Sequence, residues 1–100
     1  MGIGIQVDQQ RIAEFCRKNH IRKLAFFGSV LSESFSTESD VDVLVEFETG
    51  HAVGMFRMAA LERDLSAILG RKADLRTPAE LSPYFRAEVV RESEVQYGAR

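Results

Sequence analysis

Tryptophan is absent from this chain, and its 100 residues include one cysteine, two prolines and seven glycines. A lone cysteine excludes an internal disulfide framework and a cysteine-rich zinc site. Cys16 falls beside Ile12 and Phe15 at helical spacing, which reads as a core thiol and not a reactive one. No apolar run approaches the roughly 20 residues that a bilayer span needs. The opening Met-Gly-Ile-Gly-Ile-Gln lacks the basic residues and apolar stretch of a secretory signal, and Gln6 stands where a myristoylation motif wants Ser or Thr. The expectation is a cytoplasmic protein with no membrane attachment. Positive charge is also in short supply. The net charge is −2, the pI is near 5.7, and the basic pairs at 17–18, 22–23 and 71–72 form no stripe. They read as solvated faces, so direct binding to a nucleic-acid backbone is not expected.

What remains is ordinary globular material, 45% hydrophobic and 28% charged, enough for one domain over residues 1–100 with a core of its own. Asp8 can cap a helix running to about Asn19, with Ile12, Phe15 and Cys16 on one face. Residues 21–27 form a short apolar strand that stops at Gly28. Residues 29–35 suit a short helix with Ser29 in its first turn, and residues 36–39 a polar turn. From Asp40 the alternation is strict, with Val41, Val43, Val45 and Phe47 on one side and Asp40, Asp42, Leu44 and Glu46 on the other. Residues 54–69 carry Met58, Leu61, Leu65, Ile68 and Leu69 at helical spacing, and Gly70 ends that helix. Residues 72–76 make a further strand, with Ala73 and Leu75 inward and Lys72, Asp74 and Arg76 outward. Thr77-Pro78-Ala79-Glu80 is a capping box with Pro at the first helical position, and Ser82-Pro83 starts another helix through Phe85, Val89 and Val90. The fold class is α/β (α+β): a small mixed sheet of three to four strands, helices packed on one face and carboxylates on the other. Met55, Phe56 and Met58 read as core, and Tyr84 and Phe85 as packing residues of the last helix. His20 and His51 lack metal-ligand spacing and read as surface or cap residues, with His51 also a candidate for lining a nucleotide entrance.

The chemistry concentrates at three places. On a strand, residues i and i+2 point the same way, so Asp40 and Asp42 project side by side and repel unless a cation sits between them. Gly28 and Ser29 mark a strand-to-helix junction, where free backbone N–H groups suit an anion such as a nucleotide phosphate. Asp74 shares the outward parity of a neighbouring strand and could complete three oxygen ligands for Mg²⁺.

With these residues in place, the chain resembles the polymerase-β-like nucleotidyltransferases, and among them the minimal nucleotidyltransferases (MNT). The resemblance rests on Ile21-Arg22-Lys23-Leu24-Ala25-Phe26-Phe27-Gly28-Ser29-Val30-Leu31, on Ser39-Asp40-Val41-Asp42-Val43-Leu44-Val45-Glu46-Phe47, and on Leu69-Gly70-Arg71-Lys72-Ala73-Asp74-Leu75-Arg76-Thr77. It implies a bare catalytic palm. Gly28, Ser29 and Ser39 would bind the nucleotide, Asp40 and Asp42 would hold metal, and Asp74 would be the third carboxylate and help activate the attacking hydroxyl. It further implies two Mg²⁺ ions and ATP as substrate. Members of this kind pair with a HEPN-family RNase toxin as MntA-type antitoxins, in a hetero-oligomer, and transfer AMP to a toxin tyrosine. The chain departs from the pattern at Ser32-Glu33, where many relatives carry Arg at the first position, and it lacks a Pro often found shortly before the Ser-Asp step. Ser cannot supply the charge or bidentate reach of Arg. A binding antitoxin with weak or no chemistry is therefore the alternative reading. Transfer to a small molecule held by another subunit is a third.

Overall fold

The computed structural model of the chain describes residues 5–32, 36 and 39–98. Helix α1, Gln9–Lys18, starts where the Asp8 carboxylate accepts hydrogen bonds from the Gln10 and Arg11 N–H groups at 3.1 and 3.2 Å. Arg17 and Lys18 occupy its last turn, the favourable end of the helix dipole for positive charge. Its inward stripe is Ile12, Phe15 and Cys16, and burial pushes the Cys16 thiol up to about 12, so this is an inert core cysteine as expected.

Strands β1, Ile21–Phe27, and β2, Val41–Phe47, pair antiparallel, with Leu24 opposite Val45, Phe26 opposite Val43 and Phe27 opposite Asp42. Strand β3, Ala73–Arg76, runs parallel to β2, and β4, Glu94–Tyr97, runs antiparallel to β1. The order across the sheet is β3-β2-β1-β4. The sequence pattern does not mark residues 94–97 as a strand. Their polar alternation is short, and all four are only half-buried against β1.

Helix α2, Met55–Leu69, follows the Gly54 cap and ends at Gly70, which takes φ +69° to close the last turn. Helices α1 and α2 lie against one face of the sheet, where Leu24, Phe26, Val41, Val43 and Val45 meet Ile12, Phe15, Leu61 and Leu65 in the core. Burying such side chains is the main favourable contribution to folding, about 1.5–3 kcal/mol for each large one. The helix also seals an edge. The outward N–H groups of β3 donate to two α2 side chains, Ala73 to Ser66 Oγ at 2.9 Å and Leu75 to Glu62 Oε2 at 2.8 Å. Groups that would template pairing with another strand are thereby satisfied within the chain.

Between β3 and β4 the chain must travel from one edge of the sheet to the other. Thr77 and Glu80 form the expected capping box around a 3-10 turn, Pro78–Glu80, which packs against β2. Helix α3, Arg86–Glu92, packs against β1. Arg86 ties the crossing together, its guanidinium donating to the carbonyls of Pro78, Ala79 and Leu81. Leu44 and Ala25, which share the face of Asp42, are buried, so the crossing segment roofs part of that face and leaves the carboxylate end open. The expectation that Tyr84 and Phe85 pack fails: they are 91% and 61% exposed, because α3 begins only at Arg86 and they lie in the preceding turn. Met55 and Phe56 are likewise exposed rather than core, in the first turn of α2, whose buried residues are Leu61, Leu65 and Leu69.

Candidate active site

Strand register builds the site. Asp42 and Asp74 are direct partners across the parallel β2–β3 pair, so both carboxylates rise from neighbouring positions on one face. Asp40 lies just before β2 and is exposed, so the trio samples a gradient from the half-buried Asp42 outward. Burial, together with the like charges of Asp74 and Asp40, holds the Asp42 carboxyl above its ordinary range, and a backbone hydrogen bond from Ser29 and the charge of Arg76 only partly offset this. Two cations stand beside the cluster. Lys72 Nζ lies 3.9 Å from Asp40, and Arg76 Nη2 lies 3.4 Å from Asp74. Both are largely exposed, so they screen the repulsion without cancelling it.

Gly28 closes β1 with φ +74°, and a Cβ on it would sit 2.3 Å from Asp42 Oδ2. Glycine is therefore required here twice, by the left-handed backbone and by the carboxylate packed against it. The helix expected from Ser29 onward is a 3-10 turn, Gly28–Leu31, and residues 33–35 of that expectation lie outside the described residues. Ser32 closes the turn, its N–H and hydroxyl both donating to the Ser29 carbonyl at 2.9 and 3.0 Å. The turn positions Ser29 so that its N–H meets the Asp42 carboxylate. The Gly28-Ser29 turn thus lies directly against the Asp42 carboxylate.

Of the residues 36–39 expected to form a polar turn, 37 and 38 lie outside the described residues. Ser36 and Ser39 are linked through their hydroxyls at 3.2 Å, and the Ser39 N–H donates to the Ser36 carbonyl at 3.1 Å. Arg71 joins them, donating to the carbonyls of Ser36 and Ser39. Sequence reading placed Arg71 on a solvated face. Its actual work is to pin the approach to Asp40, and only the pairing of β2 with β3 brings it there.

Aspartates 40, 42 and 74 could hold a hard divalent cation, since all donors are oxygens and their mutual repulsion favours positive charge between them. His51 does not line this site. It follows β2, while the carboxylates cluster where β2 begins. A groove of about 590 Å³ bordered by Phe47, Met55, Met58, Glu62, Thr77 and Glu80 also lies toward the far end of β2.

Residues 10–99 match the family described as polymerase beta, nucleotidyltransferase. The protein adenylyltransferase MntA of Thermococcus cleftensis is 33% identical over 72 residues, 72% of this chain and 71% of that protein. A toxin–antitoxin crystal structure with AMP-PNP contains a chain of like fold, with a TM-score of 0.74 at 20% identity over 94% of this chain and 76% of that one. A chain in the complex of the tri-AMPylated Shewanella oneidensis HEPN toxin with its MNT antitoxin gives 0.60 at 19% identity, over 91% and 70%. At those identities the two structures establish a shared fold.

Proposed function

Because the chain belongs to the polymerase-β nucleotidyltransferase family, we propose that it is an antitoxin that transfers AMP from ATP to a tyrosine of a partner HEPN-family toxin. The observation that carries this reading is the Asp42–Asp74 register, with Asp40 at the same end and the Gly28 turn packed against Asp42. The 33% identical relative is a protein adenylyltransferase, and proteins of like fold occur in complexes with AMP-PNP and with an AMPylated HEPN toxin. Both support AMP as the group transferred.

The donor set fits Mg²⁺, and Asp40, Asp42 and Asp74 would hold it. When bound, the metal neutralises charge on the reacting phosphates. The chain's own residues do the rest. Gly28 leaves its backbone open to the triphosphate, and the 3-10 turn carrying Ser29 fixes where the phosphates sit, beside the Ser39 turn. Lys72 and Arg76 flank the carboxylates and supply the positive charge that Ser32 lacks. Asp74 accepts the tyrosine proton as the phenolic oxygen bonds to the α-phosphorus. The bond from that phosphorus to pyrophosphate breaks, and the leaving group departs with the electron pair. Holding these groups in line is the main catalytic contribution. The product tyrosine carries bulk and negative charge, which blocks a site that must bind RNA.

Intact-mass spectrometry of the partner after incubation with this protein, ATP and Mg²⁺ tests the proposal, with an Asp40→Ala/Asp42→Ala variant alongside. The expected result is a mass gain in AMP units with the wild type alone. No gain, with tight complex formation by both forms, would leave stoichiometric masking as the antitoxin activity.

A further inference from the structure

At the far end of the sheet from the carboxylates, two connections bring three metal-ligating side chains together. His20 immediately precedes β1, while Glu48 and His51 lie in the connection from β2 to α2. Antiparallel pairing of β1 with β2 brings His20 beside Glu48 and His51, which follow it by 28 and 31 residues in sequence. We propose that His20, Glu48 and His51 form a binding site for a first-row divalent ion that favours imidazole, Zn²⁺ foremost, separate from the carboxylate trio.

Four observations converge. Ligand atoms of the three side chains all lie within 4.8 Å of one another. The two imidazoles stack with centroids 3.9 Å apart and planes 12° from parallel, and His20 Nδ1 is 3.6 Å from Glu48 Oε1. Backbone bonds fix the groups: the Glu48 N–H donates to the His20 carbonyl at 2.8 Å, and the His51 N–H to the Glu48 carbonyl at 3.0 Å. Among the described residues, His20 is the one non-glycine with positive φ, at +58°, a conformation that non-glycine residues adopt infrequently.

The charges nearby leave the cluster available. Glu46, the acidic neighbour on β2, is engaged by Arg22 and by Lys23 at 3.7 Å. Among the described residues, the ion-pair partner of Glu48 is His20 and not a lysine or arginine. Two imidazoles and one carboxylate suit Zn²⁺ and its neighbours in the series, whereas Mg²⁺ prefers an all-oxygen set such as the aspartates. Zinc–nitrogen bonds of about 2.0–2.1 Å require lone pairs that converge, so both stacked rings must turn about χ2 on binding. Both histidines are exposed, and the His20 side chain retains 53% of its accessible surface, which leaves room for that rotation and for a water as fourth ligand. The bound ion would tie the start of β1 to the connection that leads into α2.

Zinc titration by calorimetry, in excess Mg²⁺ to occupy the carboxylates, tests this on the wild type, Asp40→Ala/Asp42→Ala, His51→Ala and His20→Gly. His20→Gly also relieves the positive φ, and His51 is on an exposed connection, so neither change threatens the fold. One Zn²⁺ per chain is expected in the wild type and in the aspartate variant, with affinity falling about 10-fold or more in either histidine variant. In the wild type, both imidazole NMR signals should shift with zinc. Absence of stoichiometric binding, or binding that survives both histidine changes and disappears with the aspartates, would overturn the proposal.

Discussion

The two sides of β2 follow opposite rules. On one side, Val41, Val43 and Val45 are fully buried against α1 and α2, and any polar group there would be expensive. On the other, Leu44 is covered by the crossing segment, yet one pleat away Asp42 sits half-buried beside two more carboxylates. Stability and chemistry therefore occupy alternate residues of one strand, and the first must offset the electrostatic cost of the second. The buried valines contribute favourable free energy on one face, while the like charges of Asp74 and Asp40 act on Asp42 from the other.

Breaking the functional side alone gives the largest effect. Asp40→Ala/Asp42→Ala should reduce AMP transfer by about 10³-fold or more while the melting temperature does not fall, as read by intact mass and calorimetry. The core side should behave in the reverse way. Phe26→Ala should cost about 3–5 kcal/mol in urea unfolding, and the folded fraction that remains should still transfer AMP. Smaller is the effect of unsealing the β3 edge: Glu62→Ala should cost about 1–3 kcal/mol, because it leaves the Leu75 N–H without its acceptor. The subtlest test sharpens the contrast. The Asp42 carboxyl is held above its unfolded range, so its protonated form favours folding. That contribution is complete below the unfolded value and is lost as pH rises through the raised folded value. In metal-free buffer at neutral pH, Asp42→Asn should therefore unfold at a higher temperature than the wild type, by a few degrees at most, and the gap should close as pH is lowered. A lower melting temperature for Asp42→Asn would mean that the Ser29 hydrogen bond outweighs the repulsion.

Much of this arrangement can be read along the chain. The strand bounds 21–27 and the alternation from Val41 to Phe47 follow from apolar periodicity, which puts Asp42 opposite the valine face; Asp40, expected on the same strand, lies just before it. The family resemblance read from the Gly28-Ser29 and Asp40-Val41-Asp42 segments is borne out by the match over residues 10–99. What escaped is information held by pairing. Strand β4 has only four half-buried residues and finds its partner about 70 positions earlier, so local pattern barely marks it. Met55, Phe56, Tyr84 and Phe85 have core composition, but they fall in the first turn of α2 and in the turn before α3, where they stay exposed, and composition does not report that. The histidine cluster and the Arg71 clamp likewise exist only once β2 has chosen its neighbours.

Gly28 and Asp42 cannot change independently. With the carboxylate present, any side chain at position 28 collides with it. Once Asp42 is shortened, the steric conflict with its Oδ2 is gone and the left-handed backbone angle alone remains as the obstacle. Loss of activity in this lineage would thus have a preferred order, the acid first and the glycine afterwards. A descendant with Asp42 intact and another residue at position 28 would be the rarer fossil.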